Sequence, residues 1–276
     1  MTGPLRDRLA VVRCGGRQGS GYLLTPYVVL TAAHLVLGQD PVRVTTPGSP
    51  ADVPCGREGI WYTPERGVDV ALVACAVPLA PAVAFGGDSW ADITAPAPIP
   101  RCEAIGFPYV QRGTGGQLDT EQVTGTYKPS GLFSGRDVLM VDGTPPAARP
   151  DDVSPWAGLS GAAVFAGRAL VGVVTGDPVG RQHGRVTVCP MHRMLDEHAF
   201  AVTLHDLGHT PARLVAPPGQ LTDEAADFEF RYQTYAGKAD HQPWCRRDRP
   251  LVPGRAAPAP RGGSGRQRTD PRHQGT

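Results

Sequence analysis

Apolar stretches of strand length, broken by Gly and Pro, are what most restrict how this chain folds. The clearest is Val70–Cys75 (VALVAC), apolar throughout and too short for a stable helix. Such a run suits a strand buried inside a small barrel. Residues 8–14, 19–24, 28–31, 42–45, 52–56, 59–62, 101–108, 116–127, 137–141, 162–166, 169–174 and 185–189 read as further strands. Turns fall at Gly15–Gly16, at Pro26–Tyr27 and around Pro64. Together they predict an all-β chain. Residues 76–98 contain Pro78, Pro81, Pro96 and Pro98 and read as a crossing between two halves. After Pro190, residues 191–200 favour a short helix with Met191, Met194, Leu195 and His198 near one side.

A chain of 276 residues fits one domain of this kind, with room for a sizeable core. Its 35 Gly and 29 Pro are many for a compact domain, and much of the excess lies beyond residue 210. The last 31 residues hold eight Arg, two Asp, five Pro and five Gly, a composition that builds no core. The folded domain is therefore predicted to span 1–210, with 211–276 a solvated, disordered tail. Within that tail, Phe228–Tyr235 alternates and reads as an extra strand or docking segment.

A net charge of +1 gives no electrostatic reason to expect nucleic acid or an anionic membrane as partner. The N-terminus lacks an apolar signal region, and no run approaches the roughly 18 apolar residues of a membrane span, so a cytoplasmic product is expected. Cys14, Cys55, Cys75, Cys102, Cys189 and Cys245 form no close pair, and five lie in or beside apolar runs. Buried free thiols explain that pattern best, although an exported protein could form three disulfides. His205 and His209 stand four apart, but Gly208 interrupts the helix and no third ligand is evident, so neither metal nor cofactor is expected.

Chemistry centres on Trp156–Ala163 (WAGLSGAA). Gly158 and Gly161 permit a tight bend that exposes the Ser160 hydroxyl and points the amides of Gly158 and Ser160 at a developing oxyanion. A serine needs a base, and the base needs a carboxylate behind it. Val28–His34 (VVLTAAH) ends a strand with a histidine, and Gly67–Val73 (GVDVALV) sets Asp69 at the mouth of another. Alone, His34 reads as a packed strand-end histidine, Asp69 as a turn cap and Ser160 as a Gly-Ser turn. Together, in the order His, Asp, Ser, they form a candidate catalytic triad.

Thr31–His34, Asp69–Leu72 and Gly158–Gly161 resemble the histidine, aspartate and serine motifs of the trypsin-like (chymotrypsin-fold) serine peptidases, particularly bacterial members. The resemblance spans about residues 8 to 200. It implies two six-stranded antiparallel β-barrels, at about 8–76 and 99–190, with a closing helix at about 191–200. It further implies a serine endopeptidase acting on protein or peptide substrates. The substrate pocket would have Ser154, six residues before Ser160, at its base and Thr175, Gly176 and Asp177 as walls. Uncharged Ser154 argues against strict preference for Arg or Lys, unless Asp151, Asp152 or Asp177 supplies charge. Thr175 is expected to bond Asp69.

Two departures bear on this. Leu159 stands where activated eukaryotic members have the aspartate that accepts a newly cleaved N-terminus, and Ala162 replaces a glycine. Leu159 implies a chain that folds without that switch. The alternative reading is an inactive domain of this family serving in a bacterial signalling or defence assembly.

Overall fold

The computed structural model describes residues 7–38, 40–47, 49–80, 89–111, 119–129, 136–148, 152–178, 181–210 and 213–217. Asp151, Cys245 and Phe228–Tyr235 lie outside them. Strands β1 (Leu9–Cys14), β2 (Arg17–Leu23), β3 (Val28–Thr31), β4 (Val42–Thr46), β5 (Ser49–Thr63) and β6 (Val68–Cys75) close into a barrel in the order β1-β2-β3-β6-β5-β4. Helix α1 (Ala33–Val36) leaves the end of β3. The stretches 52–56 and 59–62 belong to one long β5, whose register against β6 shifts between Arg57 and Gly59.

Among the described residues of the crossing segment lies a short strand, β7 (Ser89–Ala91). Strands β8 (Ile99–Gly106), β9 (Glu121–Lys128), β10 (Asp137–Val141), β11 (Ala163–Ala166), β12 (Ala169–Gly176) and β13 (Arg185–Pro190) then form the second six-stranded antiparallel barrel, closed where β11 pairs with both β8 and β12. The predicted all-β double barrel is therefore the observed architecture. β7 runs parallel to β12, and β14 (Arg213–Val215) runs parallel to β7.

The apolar pattern explains how the barrels join. In β6, Ala71, Val73 and Cys75 face the core of the first barrel with Ala10, Val12, Leu23 and Val29. Val70 and Leu72, pointing the other way, enter a second cluster with Tyr22, Leu30, Phe165 and Val173. Alternating residues of a strand face opposite ways, so a strand covered by barrel core on one side and by the other barrel on the next has no polar face. Tyr22 and Phe165 meet edge to face across this layer, 5.2 Å between ring centroids.

The closing helix is two helices. α2 (Met191–Asp196) and α3 (His198–Asp206) are separated at Glu197, whose extended backbone (ψ 104°) ends one and starts the other. Met191 and Met194 are buried and Leu195 packs beside them, but His198 is exposed. α3 instead buries Phe200 and Leu204, with Phe200 against Trp61 and Trp90. His205 is exposed on α3 while His209 lies beyond its end, buried against Trp90.

The expectation of free thiols throughout is corrected at one pair. Cys55 and Cys75 sit directly opposite each other on β5 and β6 and are joined by a disulfide. Their separation of 20 residues hides the pairing, which only strand register reveals. Cys14, Cys102 and Cys189 are free and buried as expected. Burial pushes the Cys102 thiol up to about 11 and the Cys189 thiol up to about 12, so both stay protonated and inert. Among the described residues no helix is long and apolar enough to cross a membrane.

Candidate active site

β3 runs through buried Thr31 into α1, whose first turn presents His34 at the barrel end. Arg17 on β2 donates to the His34 carbonyl at 2.6 Å and ties that turn down. A short 3₁₀ turn, Pro64–Arg66, ends at Gly67 with φ +73° and delivers the chain into β6, placing Asp69 second in that strand. Asp69 Oδ1 accepts the His34 backbone N–H at 2.9 Å, and Oδ2 lies 2.7 Å from His34 Nδ1. A carboxylate accepts, so Nδ1 carries the hydrogen of this contact, which in the neutral ring leaves the lone pair on Nε2. The Asp69 side chain is 5% exposed and that of His34 is 31% exposed, a buried acceptor behind a ring that reaches solvent.

Ser160 lies in the loop between β10 and β11. Its carbonyl accepts from Ser20 N at 2.7 Å. A Cβ on Gly19 would stand 2.8 Å from that carbonyl and overlap the side chain of Leu35, so the Ser160 backbone and the residue after His34 press on the same point of β2. The structure thus brings His34 and Asp69 into direct contact and sets Ser160 beside the His34 helix. No hydrogen bond joins the Ser160 hydroxyl to the His34 ring.

Around Ser160 the backbone is almost fully engaged. The amides of Ala157, Leu159, Gly161 and Ala162 donate to Ser154, Trp156, Val174 and Leu159 respectively, at 2.7 to 2.9 Å. The carbonyls of Trp156, Ala157, Gly158, Leu159 and Ser160 each accept, the third from the Ser20 hydroxyl at 2.7 Å. Among the described residues, the amides of Gly158 and Ser160 donate to nothing. Those are the donors named for the oxyanion. Both glycines of the bend have positive φ, +93° at Gly158 and +88° at Gly161, as a bend of this shape requires.

Leu159 is fully buried in the core of the second barrel with Trp156, Ala162 and Val174. Ala162 is fully buried in the same cluster.

At the predicted pocket base, Ser154 Oγ donates to Asp177 Oδ2 at 2.6 Å and accepts from Trp156 N at 3.0 Å. His183, which the sequence reading missed, places Nδ1 2.5 Å from the same carboxylate oxygen, and its carbonyl accepts from Trp156 Nε1 at 2.9 Å. Asp152 is exposed. Thr175 does not bond Asp69: its hydroxyl lies 3.0 Å from Thr187 Oγ1, across the paired strands β12 and β13. Gly176 ends β12, and its carbonyl accepts from Thr187 Oγ1 at 3.1 Å. A separate cavity of about 590 Å³, lined by Leu9, Val11, Arg13 and Phe107, contains none of His34, Asp69 and Ser160.

The chain has the trypsin-like double-barrel fold. It is similar in structure to a Glu endopeptidase in complex with MPD, with a TM-score of 0.52 and 13% identity over 75% of this chain and 92% of that one. Further similar structures are the active form of the Rv3671c protease of M. tuberculosis (TM-score 0.49, 19% identity, 75% of this chain and 83% of that one) and kallikrein-related peptidase 10 (TM-score 0.48, 16% identity, 71% and 96%). At 13% identity the likeness to the Glu endopeptidase bears on the fold alone. No family model and no curated protein sequence matches the chain.

Proposed function

We propose that this protein is a serine endopeptidase that hydrolyses peptide bonds of protein or peptide substrates through an acyl-enzyme intermediate. The observation that carries the reading is the two-point hold of buried Asp69 on His34, which fixes ring and tautomer so that Nε2 can act as base. Ser160 Oγ attacks the carbonyl carbon while its proton passes to Nε2. The negative charge on the carbonyl oxygen falls to the unused amides of Gly158 and Ser160. His34 then protonates the leaving amine, and water repeats the sequence on the ester. The step requires Ser160 Oγ to come within hydrogen-bond reach of Nε2, a tightening common when substrate enters an empty site.

Ser154, Thr175, Gly176 and Asp177 form the substrate pocket in this reading. Asp177, drawn onto Ser154, brings a carboxylate to a base that is uncharged by sequence alone, and this favours a basic over an acidic side chain before the scissile bond. The expected cytoplasmic location stands against the Cys55–Cys75 disulfide, a bond that an oxidising compartment preserves.

The test is covalent labelling by a fluorophosphonate probe. Wild type should label at Ser160, Ser160→Ala should not, and Asp69→Asn should lower peptide turnover by about 10⁴. A well-folded wild type that resists the probe would sink the proposal. That outcome would favour the second reading, an inactive interaction domain, which the missing bond between Ser160 and His34 supports.

A further inference from the structure

Ser20 belongs to β2 of the first barrel, yet most of its hydrogen bonds go to the second. Its side chain is completely buried. The hydroxyl donates to the Gly158 carbonyl at 2.7 Å and accepts the Phe107 amide at 2.9 Å, while its own amide donates to the Ser160 carbonyl at 2.7 Å. Its carbonyl accepts the Thr31 hydroxyl at 2.7 Å, three residues before His34. A Cβ on Gly161 would overlap that same carbonyl. One residue therefore meets the backbone at 107, 158 and 160 and the strand that leads to His34.

These contacts decide how the nucleophile loop can turn. A peptide unit is planar, so holding its carbonyl fixes the direction of the amide at its other end. The Gly158–Leu159 unit is held at both ends, by the Ser20 hydroxyl and by the Trp156 carbonyl. The Ser160–Gly161 unit is likewise held at both ends, by Ser20 N and by the Val174 carbonyl. Between and before them lie the two units whose amides are unused, those of Ser160 and Gly158. Each has its carbonyl bonded, to Ala162 N and to Tyr109 N respectively. Ser20 supplies both holds that come from the opposite barrel.

We propose that Ser20 is a positioning residue that sets the oxyanion donors, with its hydroxyl clasping the Gly158 peptide so that the Gly158 and Ser160 amides converge. This rests on the peptidase reading and adds to it a determinant in the first barrel. Removing the hydroxyl frees the Gly158 carbonyl and leaves the Phe107 amide without an acceptor, so the donors lose their aim while His34 and Asp69 keep theirs. Displacements of about 1 Å in such groups cost about 10²-fold in rate.

The experiment compares wild type, Ser20→Ala and Ser20→Cys, the last keeping a weak donor. Fluorophosphonate acylation rates are followed across pH, beside hydrogen exchange of the 156–162 amides in the same samples. Ser20→Ala is expected to acylate 10- to 100-fold more slowly than wild type with the pH midpoint unmoved, and Ser20→Cys to recover part of the loss. Exchange of the loop amides should quicken at least tenfold in Ser20→Ala. Acylation of Ser20→Ala at the wild-type rate overturns the inference and leaves the peptidase reading intact. If wild type itself fails to acylate, the peptidase reading falls, and the exchange rates alone decide whether Ser20 holds the loop: unchanged protection refutes it.

Discussion

Gly161 shows how little freedom remains beside Ser160. At φ +88°, an added Cβ would overlap both the Ser20 carbonyl and the Thr31 hydroxyl. Gly16 has a similar φ of +81° but nothing within 4 Å of the same position. Gly161→Ala should therefore cost about 2 to 4 kcal/mol, from strain and overpacking together, and Gly16→Ala about 1 kcal/mol from strain alone. Equilibrium denaturation of the two variants measures the difference; equal losses would mean that the Gly161 loop relaxes away from β2. The meeting of His34 with Asp69 and the bend at Gly158 and Gly161 were legible because each lies in a short motif that calls for that contact or that turn. Ser20 was not. Between Gly19 and Gly21 it reads as an ordinary strand serine, and its partners are 87 and 138 residues away. Thr175 misled for a related reason: strand pairing turns its hydroxyl to Thr187, and pairing is not written in the local sequence.

Among elements, the runs legible as strands were those with enough apolar residues to need cover on both faces. β6 is the extreme case, shared between one barrel's core and the layer between barrels. β7 and β14 were missed because each has only three residues and a parallel partner remote in the chain, so neither shows a period of its own. The split between α2 and α3 was missed because residues 191–200 favour helix throughout, and only the backbone at Glu197 marks the break. The β5–β6 pair carries the disulfide. Closing a loop of 20 residues should be worth about 3 kcal/mol, since the bond limits the unfolded chain. The double variant Cys55→Ala, Cys75→Ala should unfold at lower denaturant than oxidised wild type and match wild type held in reductant; no shift on reduction would show that the bond does not constrain the unfolded chain.

At the scale of the molecule, two barrels built from successive halves of the chain meet along the cluster of Tyr22, Leu30, Leu72, Phe165 and Val173. The candidate triad divides the same way, with His34 and Asp69 from the first barrel and Ser160 from the second. The second barrel does not end its sheet at β12. β7 extends it, and β14 covers β7 in turn, with Asp92 N donating to the Val215 carbonyl at 2.8 Å. An uncovered strand presents a row of unpaired amides and carbonyls on which another copy can template aggregation. The three residues of β14 therefore cover an edge that β7 would otherwise present. A chain cut after Thr210 should self-associate in light scattering, and one cut after Pro217 should stay as dispersed as the full chain.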